Sequence, residues 1–215
     1  MDPAVAHAHQ SALRSISRVV TEIAEPTPAK QALNAITSQL RRGNVMVLTG
    51  AGVSTESGVP DYRGPNGSLS RHRPMTYQEF LHDPQASHRY WARAFVGWRV
   101  MRAAHPNRTH YALVELEHAG LLKGVVTQNV DGLHEEAGQR NLIALHGDMQ
   151  HVVCLSCGYE EKRADYDARA ATANPTYLQR WAVNKDDVNP DGDVALSEEA
   201  VEEFVMPGCV RCGSP

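Results

Sequence analysis

The sequence predicts an α/β protein with a parallel sheet wrapped by helices, and three observations carry that expectation. Short apolar runs alternate with segments of helical periodicity between residues 29 and 145. Each run ends in a cluster of glycine and polar side chains, and in such sheets the ligand crevice lies beyond the carboxyl ends of the strands. All four cysteines fall in two close pairs towards the carboxyl end, which adds a small module to the sheet.

Composition sets the outer bounds. The 215 residues carry 21 Lys and Arg against 25 Asp and Glu, a formal net charge of −4. With 42% hydrophobic and 21% charged residues, collagen-like, coiled-coil and wholly disordered classes are excluded. A nucleic-acid partner is not expected, because that normally needs a clustered basic excess. Nor is a membrane partner, since no stretch approaches the roughly 20 apolar residues of a span. Residues 1–28 hold no compact apolar run after a basic segment, and Asp2, Glu22 and Glu25 interrupt them. They read as a surface tail or helix, and the expected location is the cytoplasm.

The elements follow in order. Ala29 to Arg42 places Ala32, Leu33, Ile36 and Leu40 at helical spacing, with Arg41, Arg42 and Gly43 as a stop. Val45 to Leu48 is a short buried strand that enters Thr49-Gly-Ala-Gly-Val-Ser-Thr-Glu-Ser-Gly58. Pro60 to His105 is rich in His, Arg, Pro and aromatics, and Trp91, Phe95 and Trp98 suit a small helical lobe over about 64–105. Thr109 to Ala119 is a helix stopped by Gly120, and Val125 to Thr127 is a strand running into Gln128-Asn-Val-Asp131. Leu133 to Ala137 is a short helix stopped by Gly138, and Leu142 to Leu145 is a third strand ending at His146-Gly147.

Cys154, Cys157, Cys209 and Cys212 form two Cys-x-x-Cys turns, each followed by glycine. Four thiolates are the complement of a closed tetrahedral zinc site, and glycine suits the knuckle that aims two sulfurs at one ion. Cys157 and Cys209 lie 52 positions apart, longer than the roughly 15–20 of common zinc ribbons. An insertion between the pairs is therefore expected, and the polar, Asp-rich run from Arg163 to Glu203 supplies it. Four buried free thiols or a thioredoxin-like redox pair are the alternatives. A site of four thiolates has no open position, so its role would be folding rather than catalysis.

Gly50-Ala-Gly52 lets backbone amides approach a pyrophosphate at a helix start. The third glycine of a dehydrogenase fingerprint is displaced, with Thr55 in its slot and Gly58 three later, and no acidic residue follows at about 20 positions to grip a ribose. Hydride transfer is disfavoured. An imidazole at a strand end, as His146 would be, suits proton removal from a hydroxyl. Asn129 and Asp131 also read as caps of the following helix.

Taken together, Gly50-Ala-Gly-Val-Ser-Thr-Glu-Ser-Gly-Val-Pro-Asp-Tyr-Arg63, Thr127-Gln-Asn-Val-Asp131, Leu145-His-Gly147 and the two Cys-x-x-Cys pairs resemble the sirtuins, the NAD-dependent protein-lysine deacylases. The strings occur in family order, over about residues 30 to 215. Tyr90-Trp-Ala-Arg…Phe-Val-Gly-Trp98 and Pro190-Asp-Gly-Asp-Val look most like the class II branch, closest to its sirtuin-four type. The resemblance implies a Rossmann-like NAD-binding domain at residues 29–150 and a zinc-binding module at 151–215, holding one structural Zn2+. It implies that Gly50 and Gly52 form the cofactor turn, with Ala51 and Thr55 beside the NAD phosphates and ribose. Tyr62 would shield the reacting ribose carbon from water, and Arg63 would hold the cofactor loop. Gln128 and Asn129 would bind the nicotinamide ribose, Val130 and Asp131 would form the nicotinamide pocket, and His146 would be the general base. Acyl-lysine protein or peptide is the implied partner, and lysine, nicotinamide and O-acyl-ADP-ribose are the implied products.

The desuccinylase branch reads a carboxylate with a Tyr-x-x-Arg pair. Tyr90-Trp-Ala-Arg93 looks like a match but lies one helical turn early, and the aligned reader positions are Ala94 and Gly97. Neutral or specialised acyl groups are therefore expected. The family pattern also continues past the second cysteine pair, with returning strands and adenosine-binding loops, whereas this sequence stops at Pro215. A fragment with an incomplete carboxyl-terminal half of the sheet, exposed strand edges and uncovered apolar faces is the corresponding expectation. A mono-ADP-ribosyltransferase using the same pocket and a noncatalytic zinc-containing interaction module are the alternative functions.

Overall fold

The computed structural model describes residues 25, 27–62, 75–184 and 187–215. Arg63 and nearly all of the amino-terminal segment 1–28 lie outside the described residues. The sheet half runs α1 (Ala29–Arg41), β1 (Val45–Thr49), a 3-10 turn (Ala51–Ser57), α2 (Tyr77–His82), α3 (Pro84–Ala103), α4 (Arg108–His118), β2 (Leu122–Thr127), α5 (Leu133–Glu136) and β3 (Leu142–Ala144). There follow β4 (His151–Val153), β5 (Glu160–Lys162), α6 (Arg163–Ala173), α7 (Tyr177–Arg180) and α8 (Glu198–Glu203).

The three main strands pair in parallel in the order β1-β2-β3. Residues on alternate sides of the pleat have different fates. Val45, Val47, Val125 and Leu142 pack under Leu113 and Leu116 of α4. Met46, Leu48, Ile143 and Leu145 are exposed on the other face. This uncovered apolar face matches the expectation above. Likewise, α1 forms as its periodicity requires but buries none of its residues, and Leu33 and Ile36 are exposed. Strand β2 starts three residues before the expected Val125, because Leu122 already pairs with Val45 across a bulge. The intervening Gly124 signals close approach rather than a turn, since a Cβ there would sit 2.8 Å from the Asn141 carbonyl oxygen.

Two helix starts are written plainly in the sequence. Asp83 caps α3 by accepting from the Gln85 N–H, with Pro84 in the first turn. Asn107 caps α4 by accepting from the Thr109 N–H at 2.8 Å.

The main core does not follow the expected boundary at residue 151. Ala92, Phe95 and Val96 of α3 pack with Tyr166, Ala170, Tyr177, Val188, Val194 and Phe204, so the helical lobe and the segment between the cysteine pairs share one interior. Phe95, Tyr177 and Phe204 meet with ring centroids 5.4–5.9 Å apart. A second cluster ties this body to the sheet: Trp98, Met101 and Ala104 pack on Val59, after the 3-10 turn, and on Leu133 of α5.

The contact between α3 and the loop 188–194 is the tightest of these. Val188 and Val194 are wholly buried, and an added Cβ at Gly97 would stand 1.9 Å from the Gly192 carbonyl oxygen. Gly97→Ala must therefore push the loop off α3, and overpacking of this kind costs about 1–3 kcal/mol. Urea unfolding of this variant should show that loss. Native stability in Gly97→Ala would mean that the loop does not rest on α3.

Candidate active site

Parallel pairing aligns Thr49 with Thr127, and Thr127 with Ala144. The three strand ends are thus level, and the segments that leave them open onto one crevice of about 830 Å³. Gly50, Ala51 and Gly52 line it from the first segment, Gln128, Asn129, Val130 and Asp131 from the second, and His146 from the third. Tyr62 closes one side.

Each position has a local cause. A Cβ at Gly50 or Gly52 would meet nothing within 4 Å, so these glycines keep the crevice floor open rather than relieve a clash. Gly58 is displaced from the dehydrogenase slot because it ends the 3-10 turn in the left-handed region, at φ 83°. Thr55 is the one described candidate that does not line the crevice. It is exposed, and its hydroxyl turns back onto the Gly52 carbonyl at 3.0 Å.

Asp131 is a wall residue and not the expected cap, because Gly132 takes the N-cap position of α5 without a side-chain cap bond. Its Oδ1 accepts from the Leu133 N–H at 3.0 Å, a local turn one residue ahead of the helix. Its Oδ2 accepts from the Ser54 hydroxyl at 2.7 Å, and the Asn129 carboxamide donates to the same hydroxyl at 3.1 Å. Ser54, fully buried, therefore clamps the glycine loop to the Gln128–Asp131 loop. Sequence reasoning missed it; the available signal was a hydroxyl following the glycines at the start of a helical turn. Behind it, Thr49 donates to Thr127 at 2.9 Å and sits 2.9 Å from Nε2 of buried His134. The Thr127 hydroxyl also accepts from the Asn129 N–H at 3.1 Å.

His146 is exposed and faces this crevice, shared with Gly52 and Asp131. Its Nδ1 lies 2.9 Å from the Gln128 carbonyl oxygen. A carbonyl only accepts, so Nδ1 carries a proton, and the neutral tautomer of that ring has its lone pair on Nε2.

The crevice has a fourth wall that the sequence did not assign to it: Pro190 and Asp191, from the segment between the cysteine pairs. The Asp193 carboxylate lies 3.1 Å from Arg93, which also donates to the Val194 carbonyl. Burial nevertheless holds the Asp193 carboxyl up near 6, against the pull of Arg93. Burial, with Asp191 and Asp193 nearby, also pushes the Tyr62 phenol above its ordinary range, so it stays protonated. Arg93 is thus committed to the loop, while Ala94 is buried and Gly97 lies against the Gly192 backbone.

The cysteines converge as their spacing predicts. All four sulfurs lie within 4.8 Å of one another, and the pairs Cys154–Cys212 and Cys157–Cys209 are both 3.7 Å apart. Zinc–sulfur bonds of 2.3 Å in a tetrahedron require about 3.8 Å between sulfurs. The two knuckles repeat one hydrogen-bond pattern. The Gly158 N–H donates to the Cys154 carbonyl, and the Gly213 N–H donates to the Cys209 carbonyl, at 2.9 and 2.8 Å. The Cys154 N–H donates to Tyr159 and the Cys209 N–H to Ser214, both at 2.8 Å. Gly158 and Gly213 both have positive φ, near 70°. The donor set fits one closed tetrahedral ion.

Residues 50–213 match the Sir2 family model. The chain is 62% identical over 183 residues to a Corynebacterium efficiens protein named NAD-dependent protein deacetylase 1, covering 85% of this chain and 65% of that protein. It is 43% identical to the human protein named NAD-dependent protein lipoamidase sirtuin-4, mitochondrial, covering 88% of this chain and 59% of the relative. Among solved structures, it resembles a Sir2 complex with deacetylated p53 peptide and 3′-O-acetyl ADP ribose, at TM-score 0.58 and 27% identity, covering 85% of this chain and 61% of that one. The chain thus spans less than two thirds of the length of these relatives.

Two outcomes test this geometry. Metal analysis of the purified chain should return one zinc, lost together with cooperative unfolding in Cys209→Ser; native metal content in that variant would refute the four-sulfur site. Burial and neighbouring His110 push the His134 imidazole down to about 4. In the unfolded chain its pKa is the ordinary 6.5, so stability is complete above pH 6.5 and falls as pH drops towards 4. Melting temperatures across that window should fall in the native protein and fall less in His134→Gln.

Proposed function

The chain belongs to the Sir2 family, and from that premise we propose that it acts as an NAD-dependent protein-lysine deacylase, passing the acyl group to ADP-ribose and releasing nicotinamide. The observation that carries the reading is His146. Its Nδ1 lies on the Gln128 carbonyl, and its ring lines the crevice built from the glycine loop and the Gln128–Asp131 loop, so that Nε2 would be the nitrogen available to a ligand.

NAD, when bound, supplies a cationic nicotinamide that leaves readily and a ribose carbon for the acyl oxygen to attack. The residues of this chain do the rest. Amides around Gly50–Gly52 would take the phosphates, because unpaired N–H groups at a helical start favour anions. Gln128 and Asn129 would hold the nicotinamide ribose, and Asn129 is already oriented by Ser54 and Thr127. Val130 and Asp131 would border the nicotinamide. Tyr62, protonated and largely apolar, would exclude water from the reacting carbon. His146 would accept a ribose hydroxyl proton at Nε2. Holding the acyl-lysine carbonyl against the ribose makes the attack effectively intramolecular. The four-cysteine site would hold a structural zinc and take no part in the chemistry.

The acyl group is proposed to be neutral or specialised. Gly97 lies against the Gly192 backbone, Ala94 is buried, and Arg93 is occupied by Asp193, so Tyr90 and Arg93 are not a free pair for a carboxylate. Names such as deacetylase and lipoamidase among the relatives support the same reading.

Incubation of the purified chain with NAD and acetyl-, lipoyl- or succinyl-lysine peptides should release nicotinamide and O-acyl-ADP-ribose. His146→Ala should lower turnover by about 10²–10⁴-fold, the usual contribution of a positioned base. ADP-ribosylated protein in place of the ribose ester would make it a transferase. No turnover by a zinc-loaded chain would make it a noncatalytic module. A preference for succinyl-lysine would overturn the acyl assignment alone.

A further inference from the structure

We infer that His110 and His134 form a neutral imidazole–imidazole hydrogen bond, the middle link of a proton-ordered chain running from the cap of α4 to the backbone of Asn129. Both histidines would then be positioning residues of the crevice rather than acids or bases in it. Their positioning role rests on the function proposed above; the hydrogen bond itself does not.

Proton positions follow from the outer links. The Asn107 N–H, which can only donate, points at Nδ1 of His110 at 3.2 Å. Nδ1 is therefore bare, and the neutral ring of His110 carries its proton on Nε2. At the other end, Thr49 gives its hydroxyl proton to Thr127. The Thr49 oxygen must then receive the proton of its second neighbour, His134 Nε2, at 2.9 Å. Nδ1 of His134 is left bare.

The two atoms left over are complementary. His110 Nε2, a donor, and His134 Nδ1, an acceptor, are both buried and without a partner. They belong to adjacent rings with centroids 4.7 Å apart and planes inclined at 60°. The inferred bond would join these two atoms. An unmade buried pair would keep the full desolvation penalty of both groups, whereas the joined pair satisfies both at once.

Burial pushes both imidazoles below the ordinary histidine range, which keeps the pair uncharged at neutral pH. The charged groups acting on it are Asp131, on both rings, and Glu136, on His110.

The chain has ends that matter. The Asn107 carboxamide also donates to the Val53 carbonyl at 2.8 Å and the Ser57 hydroxyl at 3.0 Å, so its first anchor is the glycine-loop wall. Its last link, Thr127, accepts from the Asn129 N–H in the opposite wall. The pair thus sets the distance between the two walls from behind.

Long-range ¹⁵N–¹H imidazole spectra of the labelled full chain at pH 7 test the bond directly, with signals assigned through His110→Gln and His134→Gln, either of which suffices. Both rings should be neutral and Nε2-protonated, with the His110 Nε2 proton shifted downfield and protected from exchange. A protonated Nδ1 on His134, an imidazolium at either position, or a freely exchanging His110 proton would overturn the inference. The positioning role has its own readout. Thr49→Val keeps the side-chain shape and breaks the chain midway, so NAD affinity by calorimetry should fall about tenfold, and Thr49→Ser should restore most of it. Native affinity in Thr49→Val would refute the role. Absence of any NAD binding by the native chain would instead refute the proposed function and leave the spectra to decide the bond.

Discussion

The register of three parallel strands governs the rest of this molecule. Thr49, Thr127 and Ala144 stand level, so the chain must leave all three strands on the same side of the sheet. Parallel strands also send their connections to that side without a hairpin to occupy the space. A slip of one residue in β2 would reverse the faces of Val125 and Thr127. It would separate Thr127 from Thr49 and draw Asn129 and Asp131 away from Ser54. The crevice is thus a consequence of pairing first and of side-chain chemistry second.

Hydrogen bonds then convert three neighbouring segments into one surface. Ser54 meets Asp131 and Asn129, Gln128 donates its N–H to the Thr49 carbonyl, and His146 rests on the Gln128 carbonyl. Every link crosses between segments far apart in sequence. Groups held this way need little reorganisation when a ligand enters, which is the condition under which fixed donors and acceptors are most effective. The apolar cluster of Val59, Trp98, Met101, Ala104 and Leu133 supports the same segments from below.

The body between the cysteine pairs adds a wall from a distance. Its interior is shared with α3, and Gly97 allows the Gly192 backbone to lie directly on that helix. Pro190 and Asp191 reach the crevice for that reason. The four-cysteine cluster closes the loop in sequence that carries them. Zinc there would act on the crevice through the position of this segment, not through its own charge.

Much of this was legible without coordinates. Periodicity located α1, α4, α5 and the three strands and put polar clusters at the strand ends, while the individual cofactor residues were named from the family resemblance. Thr55 was named as well, yet it turns to the Gly52 carbonyl, because a hydroxyl in a tight 3-10 turn finds a backbone partner nearby. Thr49 and His134 gave no individual signal, and Ser54 only the weak one of a hydroxyl after the glycines, since their roles exist only as pairs with residues about 80 positions away. Local pattern therefore determined which elements form, which residues end the strands and that four thiolates are available for one ion. Tertiary structure alone decided that α3 and the inter-cysteine segment share a core, that Arg93 anchors a loop, and that Asp191 closes the crevice. Those outcomes depend on packing between distant segments, whose energy is written in no single stretch of the chain.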